Sequence, residues 1–479
     1  MTRTALWTVE AMSAAMRAQA QGTLPDSIAG ISIDSRTLSP GDAFFAIAGD
    51  NRDGHEFVDG ALKAGAGLAV VTASKRDMFA ADAPLLIVED VLDGLRDLAR
   101  AARARLNGKV IAVTGSVGKT STKEALRLVL SREGLTHASA ASYNNHWGVP
   151  LSLARCPRDA RFAVFELGMN HAGEIGPLSQ MVRPDIAIIT TIAPVHLQYF
   201  KSVDEIADAK AEIFEGLEPG GTAILNRDIA QFNRLADRAL DAKVGRLVSF
   251  GEEQGSDARL IKCVLHPETS VVQANILGQD VTYKLGAPGR HLVLNSLAVL
   301  AAAKLAGADL ALSALALAEL EPAQGRGTRS LLHVGGGTAL LIDESYNANP
   351  LSMRAAIALL GQSEPGPRGR RIAVLGDMLE LGDQSGDLHA GLAEPIVEHG
   401  IDLVFCSGPE MRNLWDALPS SRRGSYASDS SALEPQVLEA VANGDAVMIK
   451  GSFGSKMAPI VKALQRKYAQ RDTAGSAQG

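Results

Sequence analysis

Lys109-Val-Ile-Ala-Val-Thr-Gly-Ser-Val-Gly-Lys-Thr-Ser-Thr-Lys-Glu124 joins an apolar run to a glycine loop and then to an amphipathic pattern. Residues 110–113 read as a buried strand. Ala125, Leu126, Val129 and Leu130 fall on one face of the helix that follows. Between them, Gly115, Ser116, Val117, Gly118, Lys119, Thr120 and Ser121 form a phosphate-binding loop. The glycines let backbone N–H groups turn toward an anion, and the helix N-terminus adds a partial positive charge. Lys119 can reach β- and γ-phosphates, and the Thr120 hydroxyl can ligate Mg²⁺. The loop is a shorter variant of the usual pattern, T-G-x-x-G-K-T-[ST], with Val113 where the usual first glycine stands. It implies a nucleoside triphosphate as ligand.

The chain is too long, at 479 residues, for one core, so two or three domains are expected. A net charge of −7 argues against a nucleic-acid partner. Cys156, Cys263 and Cys406 lie far apart, without metal-ligand spacing, and read as small buried hydrophobes in a reducing compartment. There is no signal-peptide pattern and no apolar run of membrane-spanning length, so a cytoplasmic protein without a membrane span is expected. Nothing signals an assembly, and a monomer is expected.

The fold class reads as α/β in three units. The first, 1–107, carries short strands at 31–36, 43–48, 68–71 and 85–88 and a helix over 92–106, ending at Asn107-Gly108 as a joint. The second, 108–322, has unbroken apolar runs at 110–114, 162–167, 186–192, 222–225 and 247–250, which suit a parallel sheet covered on both faces. An Ala/Leu-rich stretch, 298–320, reads as one helix, and the Pro/Gly-containing stretch 321–327 breaks it. The third unit, 323–470, repeats the strand-loop-helix alternation with strands at 339–342, 372–375, 403–406 and 447–449, and reads as a doubly wound domain. The small, polar stretch 471–479 is expected to be a flexible tail.

Open parallel sheets hold their sites beyond the C-terminal ends of the strands. Glu166 closes an apolar strand. A carboxylate there costs several kcal/mol if unpaired, so it serves either a second Mg²⁺ contact or a buried ion pair or cap. His196 follows the next strand, as a contact to metal, phosphate or carboxylate or as a structural residue. Lys210 shares a helical face with Ile206, Ile213 and Leu217. It either snorkels or is buried, loses its charge and becomes an amine able to take up CO₂ as a carbamate. In the third unit the polar stretches Gly325-Arg-Gly-Thr-Arg329, Asp343-Glu-Ser-Tyr-Asn-Ala-Asn-Pro350, Gly376-Asp-Met-Leu-Glu-Leu-Gly382 and Lys450-Gly-Ser-Phe-Gly-Ser-Lys456 follow the joint or a strand. Their common edge is expected to face the phosphate loop across a cleft.

These motifs, with Tyr143-Asn-Asn-His-Trp-Gly-Val-Pro150, Ala209-Lys-Ala-Glu-Ile-Phe214 and His291-Leu-Val-Leu-Asn295, resemble the Mur ligase family, ATP-dependent amide-forming enzymes of peptidoglycan precursor synthesis. The stretches 343–350 and 376–382 are most similar to the branch that adds D-Ala-D-Ala to UDP-N-acetylmuramoyl-tripeptide. Asp34-Ser-Arg36, residues 41–46 and Asp53-Gly-His55 look like that family's nucleotide-sugar domain. The resemblance implies a central P-loop ATPase sheet flanked by an N-terminal α/β nucleotide-sugar domain and a C-terminal Rossmann-like domain. It implies ATP, two Mg²⁺ ions and an acyl-phosphate intermediate. By the same resemblance, Lys119, Glu166, His196 and Lys210 are the catalytic set. Thr120 and Glu166 hold one ion, and His196 and carbamylated Lys210 the other. Asn295 and Arg326 contact ATP, and either Asp343 or Glu344 takes the ribose. Asp34, Ser35, Arg36, Asn144 and Asn145 meet the nucleotide sugar, and Asn347 and Asn349 lie near the dipeptide or the phosphates. The chain departs from the family at Gln198, where a glutamate often follows His-Leu, so the carboxylate expected beside His196 is missing. A sister ligase with another amine, including the folylpolyglutamate type, is the nearest alternative, and a P-loop kinase or a nucleotide switch is a more distant one.

Overall fold

The computed structural model describes residues 4–49, 52–140 and 142–469. The expected tail, 471–479, lies outside them. The protein is a three-part α/β molecule built on three main sheets. The first sheet has the order Gln19–Gln21, Leu85–Val88, Leu68–Thr72, Asp42–Phe45, Gly30–Ser32, and only its Gln19–Gln21 edge runs antiparallel. The strand expected over 31–36 stops at Ser32. Beyond it the Asp34 carboxylate accepts the Arg36 backbone N–H at 3.0 Å, which turns the chain away from the sheet.

The middle sheet is nine-stranded. Its centre is Lys109–Thr114, with Phe162–Glu166 on one side and Ile186–Ile189 on the other, all parallel. Thr136–Ala138 closes one edge, while Thr222–Asn226 and Arg246–Gly251 extend the other. The chain order reverses at Lys109–Thr114, so a crevice opens beyond its C-terminal end. The apolar runs are buried because helices cover both faces, Lys119–Leu130 and Arg290–Leu305 on one and Ile175–Val182 and Val203–Ala211 on the other.

Two expectations fail here. The sheet is not purely parallel: Ala258–Leu265 joins it in parallel, and Ser270–Ile276 and Gln279–Leu285 then fold back as an antiparallel meander. These strands alternate buried and exposed residues, the signature of a sheet with one wet face, and so lack an apolar run. The single helix expected over 298–320 is also two, Arg290–Leu305 and Leu310–Ala316. Gly307 has φ +87, and the Asp309 side chain accepts the Leu312 N–H at 2.8 Å, starting a new helix.

Asn107-Gly108 is less of a joint than its composition suggests. The first and middle sheets share one core, running from Trp7, Met12 and Leu98 to Val149, Leu153 and Phe165. Leu98 is fully buried, worth about 1.5–3 kcal/mol for a leucine of this kind. The Arg103 guanidinium adds hydrogen bonds to the Val182 carbonyl at 2.7 Å and the Arg183 carbonyl at 2.8 Å. The third sheet has its own cores on its two faces. Its order is Thr328–Val334, Gly337–Glu344, Ala446–Lys450, Arg371–Gly376, Leu403–Ser407, Arg423–Ala427, parallel apart from the first pair.

His137, on the edge strand Thr136–Ala138, contacts the Ser152 carbonyl through Nε2 at 2.7 Å and tilts against Phe165. Desolvation pushes its pKa down from 6.5 to about 4, Arg155 adding to the shift and the Ser152 carbonyl opposing it. The unfolded chain therefore takes up this proton first on acidification. The contribution is present above pH 6.5 and is lost as the pH falls toward 4. Denaturant midpoints at pH 7.5 and 5.0 should differ less for His137→Gln than for the parent. Equal differences would remove His137 from the account.

Candidate functional site

The phosphate loop leaves its strand at Thr114 and enters the helix Lys119–Leu130 through Gly118, at φ +88. Gly115 sits at φ +146, where a Cβ would run into the Thr190 hydroxyl. The neighbouring strand pins the loop from behind. Thr190 Oγ1 donates to the Val117 carbonyl at 2.6 Å. Ser116 N donates to the Thr191 carbonyl at 2.8 Å, and Ala193 N donates to Ser116 Oγ at 3.0 Å. Thus Ser116 and Val117 are held by residues 190–193, which follow the strand Ile186–Ile189 of the middle sheet. The Ser121 hydroxyl donates to the Gly118 carbonyl at 3.0 Å, and the first helical N–H groups face the crevice. The Lys119 ammonium lies on the Gly115 carbonyl at 2.7 Å. Desolvation lowers its pKa, and the charge of Glu166 opposes that.

Glu166 ends the adjacent strand with 1% exposure. Its buried carboxylate is satisfied twice, by the Thr120 hydroxyl at 2.9 Å and the Asn144 amide at 2.7 Å. Thr120 Oγ1 also lies 3.2 Å from Ser142 Oγ, which accepts from Arg326 Nη2 at 3.3 Å. A chain of polar contacts therefore runs from the 325–327 linker to the strand end. The Arg326 guanidinium stacks over Tyr346, 4.2 Å from the ring centre. Asn295 approaches from the helix Arg290–Leu305, so that a Cβ on Gly118 would lie 2.5 Å from its amide nitrogen.

Lys210 lies among apolar residues of the helix Val203–Ala211, 1% exposed. It makes no hydrogen bond or ion pair among the described residues. Desolvation drives its pKa well below 10.5, the charge of Lys119 adds to that, and Glu212 opposes it. Snorkelling is excluded by this burial. His196, past the strand Ile186–Ile189, has φ +56. Its Nδ1 meets a Glu380 carboxylate oxygen at 2.5 Å. The carboxylate expected to be missing at Gln198 is thus supplied from the third sheet. The contact with His196 holds the Glu380 carboxyl below its ordinary pKa. Glu380 also sits at φ +64. A left-handed conformation at a residue other than glycine costs on the order of 1–3 kcal/mol and persists where its surroundings impose it.

The remaining expected residues divide into two groups. Asp343 Oδ1 accepts from Ser345 N at 3.0 Å and Oγ at 2.6 Å, which shapes the turn after Gly337–Glu344. Glu344 accepts from the buried Lys450 ammonium at 3.3 Å, so each member of the acidic pair already has a protein partner. Asn347 is exposed, and its side chain accepts the Ala348 N–H at 2.9 Å. Asn349 is the N-cap of the helix Pro350–Gly361 in a reciprocal box with Ser352; this cap is a structural task that its place in the motif did not reveal. The Asn145 side chain accepts from Gly148 N at 2.9 Å, in the turn that leads into the helix Gly148–Ala154. Asp34 and Arg36 pair at 2.7 Å on the first sheet with Ser35 between them. Pairing with Arg36 holds Asp34 down at about pKa 2. Arg155, just after the Gly148–Ala154 helix, donates to the Ile31 carbonyl at 2.8 Å and ties this turn to the middle sheet. Ser142, Thr190, Tyr346, Glu380 and Lys450 carry no signal of their own in the sequence, although Tyr346, Glu380 and Lys450 lie within the polar stretches 343–350, 376–382 and 450–456.

Among the described residues, no cluster of three or more His, Cys, Asp or Glu side chains is arranged to hold a metal by itself. One carboxylate and one hydroxyl beside a phosphate loop nonetheless suit Mg²⁺, which keeps waters and takes substrate phosphate oxygens.

Three family models match successive stretches: "Mur ligase family, catalytic domain" over 27–103, "Mur ligase middle domain" over 113–303, and "Mur ligase, glutamate ligase domain" over 331–453. The UDP-N-acetylmuramoyl-tripeptide–D-alanyl-D-alanine ligase of Escherichia coli (strain K12) is 34% identical over 91% of this chain and 93% of its own length. The chain belongs to the Mur ligase family. Among solved structures, this Mur ligase resembles MurF from Acinetobacter baumannii, with a TM-score of 0.81 and 30% identity, covering 96% of this chain and 99% of that one. It also resembles the MurF ligase from Thermotoga maritima in complex with ADP, at TM-score 0.74 and 26% identity over 92% and 97% of the two chains. No helix among the described residues of this Mur ligase is long and apolar enough to cross a membrane.

Proposed function

We propose that this Mur ligase joins D-Ala-D-Ala to UDP-N-acetylmuramoyl-tripeptide at the expense of ATP, releasing ADP and phosphate and forming the pentapeptide precursor of peptidoglycan. Relatives carrying that name over nine-tenths of the chain support the substrates. The observation that carries the nucleotide chemistry is the buried Thr120–Glu166 hydrogen bond beside the phosphate loop. The tripeptide carboxylate attacks the γ-phosphorus of ATP, forming an acyl phosphate and ADP. The dipeptide amine then attacks the acyl carbon and phosphate leaves. Mg²⁺, when bound, offsets charge on the phosphoryl oxygens.

Thr120 and Glu166 would hold one ion. His196 and Lys210 would hold the second, Lys210 as a carbamate, because a neutral buried amine converts to an anion that an oxygen-seeking cation accepts. Lys119 steadies the transferring group. Asn295 and Arg326 contact the nucleotide, with Asp343 or Glu344 at the ribose. Asp34, Ser35, Arg36, Asn144 and Asn145 serve the nucleotide sugar, and Asn347 and Asn349 lie toward the dipeptide. The units are 1–107, 108–322 and 323–470, and the enzyme works as a cytoplasmic monomer.

The assay is phosphate release with Mg²⁺, ATP and UDP-N-acetylmuramoyl-tripeptide, with D-Ala-D-Ala or L-alanine as the amine. Release with D-Ala-D-Ala alone, accompanied by the matching mass gain in the nucleotide product, is the expected result. Release with L-alanine instead would make this a sister ligase. Release without any amine would leave only the nucleotide site standing.

A further inference from the structure

The loop 376–382 of the third sheet docks on the segment 196–198 of the middle sheet through backbone as well as side chains. Gln198 N donates to the Glu380 carbonyl at 3.2 Å. A Cβ on Gly382 would lie 3.5 Å from the Leu197 carbonyl. The Glu380 carboxylate meets His196 Nδ1 at 2.5 Å, and both residues hold left-handed backbone conformations, φ +64 and φ +56. An ordinary surface ion pair has mobile partners and contributes little. Here the side-chain contact is joined by a main-chain hydrogen bond at the same junction. An imidazole engaged by a carboxylate through Nδ1 presents Nε2 on the opposite side of its ring, and such a partner sets the ring's orientation and basicity as a ligand.

We propose that Glu380 is a positioning residue for His196, so that the domain expected to receive the amine completes a metal-side ligand of the domain that receives ATP. The proposal rests on His196 as a ligand of the second ion. It assigns Glu380 a task that Gln198 does not perform, since Gln198 meets this junction through its backbone N–H, on the Glu380 carbonyl at 3.2 Å. Phosphoryl transfer is thereby linked to docking of the third sheet: the acyl phosphate forms when the surface expected to bring the amine is already in place.

The test uses the full-length parent, Glu380→Ala, Glu380→Gln and His196→Ala. Each is loaded with a non-hydrolysable ATP analogue and UDP-N-acetylmuramoyl-tripeptide, and Mn²⁺ binding is followed by electron paramagnetic resonance. Glu380→Ala should bind the weaker of the two ions about 10–100-fold less tightly. Glu380→Gln keeps a carbonyl acceptor for Nδ1–H and should lie within a few-fold of the parent. In turnover, Glu380→Ala should need correspondingly more Mg²⁺ for half-maximal rate and recover most of kcat at saturation. Parent-like ion binding in Glu380→Ala, with loss in His196→Ala, would overturn the inference and leave the His196 reading intact. Parent-like ion binding in His196→Ala would overturn that reading and the inference with it. A glutamine no better than alanine would make Glu380 a structural residue of its loop and likewise overturn the proposal. Glu380 is partly exposed, so unfolding midpoints near the parent's are expected for both of its variants.

Discussion

Lys119→Ala is expected to lower the ligation rate about a thousandfold or more at saturating ATP, on the scale of other groups that stabilise a transferring phosphoryl. The ammonium lies 2.7 Å from the Gly115 carbonyl, at the mouth of the loop. It is the flexible charge of a loop whose backbone is otherwise pinned by Thr190 and Ser116. Removing it should leave that backbone in place. Binding of UDP-N-acetylmuramoyl-tripeptide, measured by calorimetry without nucleotide, should be unchanged, and the thermal midpoint should not fall, since a poorly solvated cation is lost. Single-turnover acyl-phosphate formation, trapped by hydroxylamine, should be lost in step with ligation. If trapping persisted at the parental rate, Lys119 would act after phosphoryl transfer and the reading of the loop would be wrong.

Lys210→Met should separate activity from stability. Ligation is expected to drop about a hundredfold or more, as when one preorganised electrostatic group is removed. The unfolding midpoint is expected to rise. A methionine of similar length fills the same apolar surroundings, and the cost of placing an unpaired amine there disappears. Lys210→Arg should be equally inactive, because a guanidinium stays charged and takes up no CO₂. In the parent, labelled bicarbonate should give a carbamate signal that is absent from both variants, and stripping CO₂ should slow turnover reversibly. Full activity in rigorously CO₂-free buffer would remove the carbamate from the mechanism.

The two lysines also show what the sequence could disclose. Lys119 was legible because strand, glycines and helix are contiguous and each has a local signature. Lys210 was legible as an anomaly, a cation on an apolar helical face, but its burial depends on the opposing core and needed the structure. The parallel strands were read because burial on both faces leaves unbroken apolar runs. The meander from Ala258 to Leu285 was missed because half of each strand is exposed. The split in the long Ala/Leu stretch was missed because one glycine within it reads as tolerable until its φ is known. Glu380 stands in the stretch 376–382 with no task the sequence assigns, and the residues next to His196 offer it no carboxylate. A partner 184 residues away leaves no periodic trace. The Asn349 cap was hidden for a different reason: the same asparagine that suits a ligand also suits a helix start.

The phosphate loop is shaped by its own sheet, whereas the surface around His196 is shared with the third sheet through Glu380. Inhibitors should divide accordingly. A compound confined to the loop meets the same atoms whether or not the third sheet is docked. It therefore has equal affinity for both arrangements and shifts nothing between them. A compound that touches both His196 and the 376–382 loop recognises the docked arrangement alone. Its measured affinity is reduced by the fraction of molecules in that arrangement, and substitutions far from the compound that loosen the docking would confer resistance.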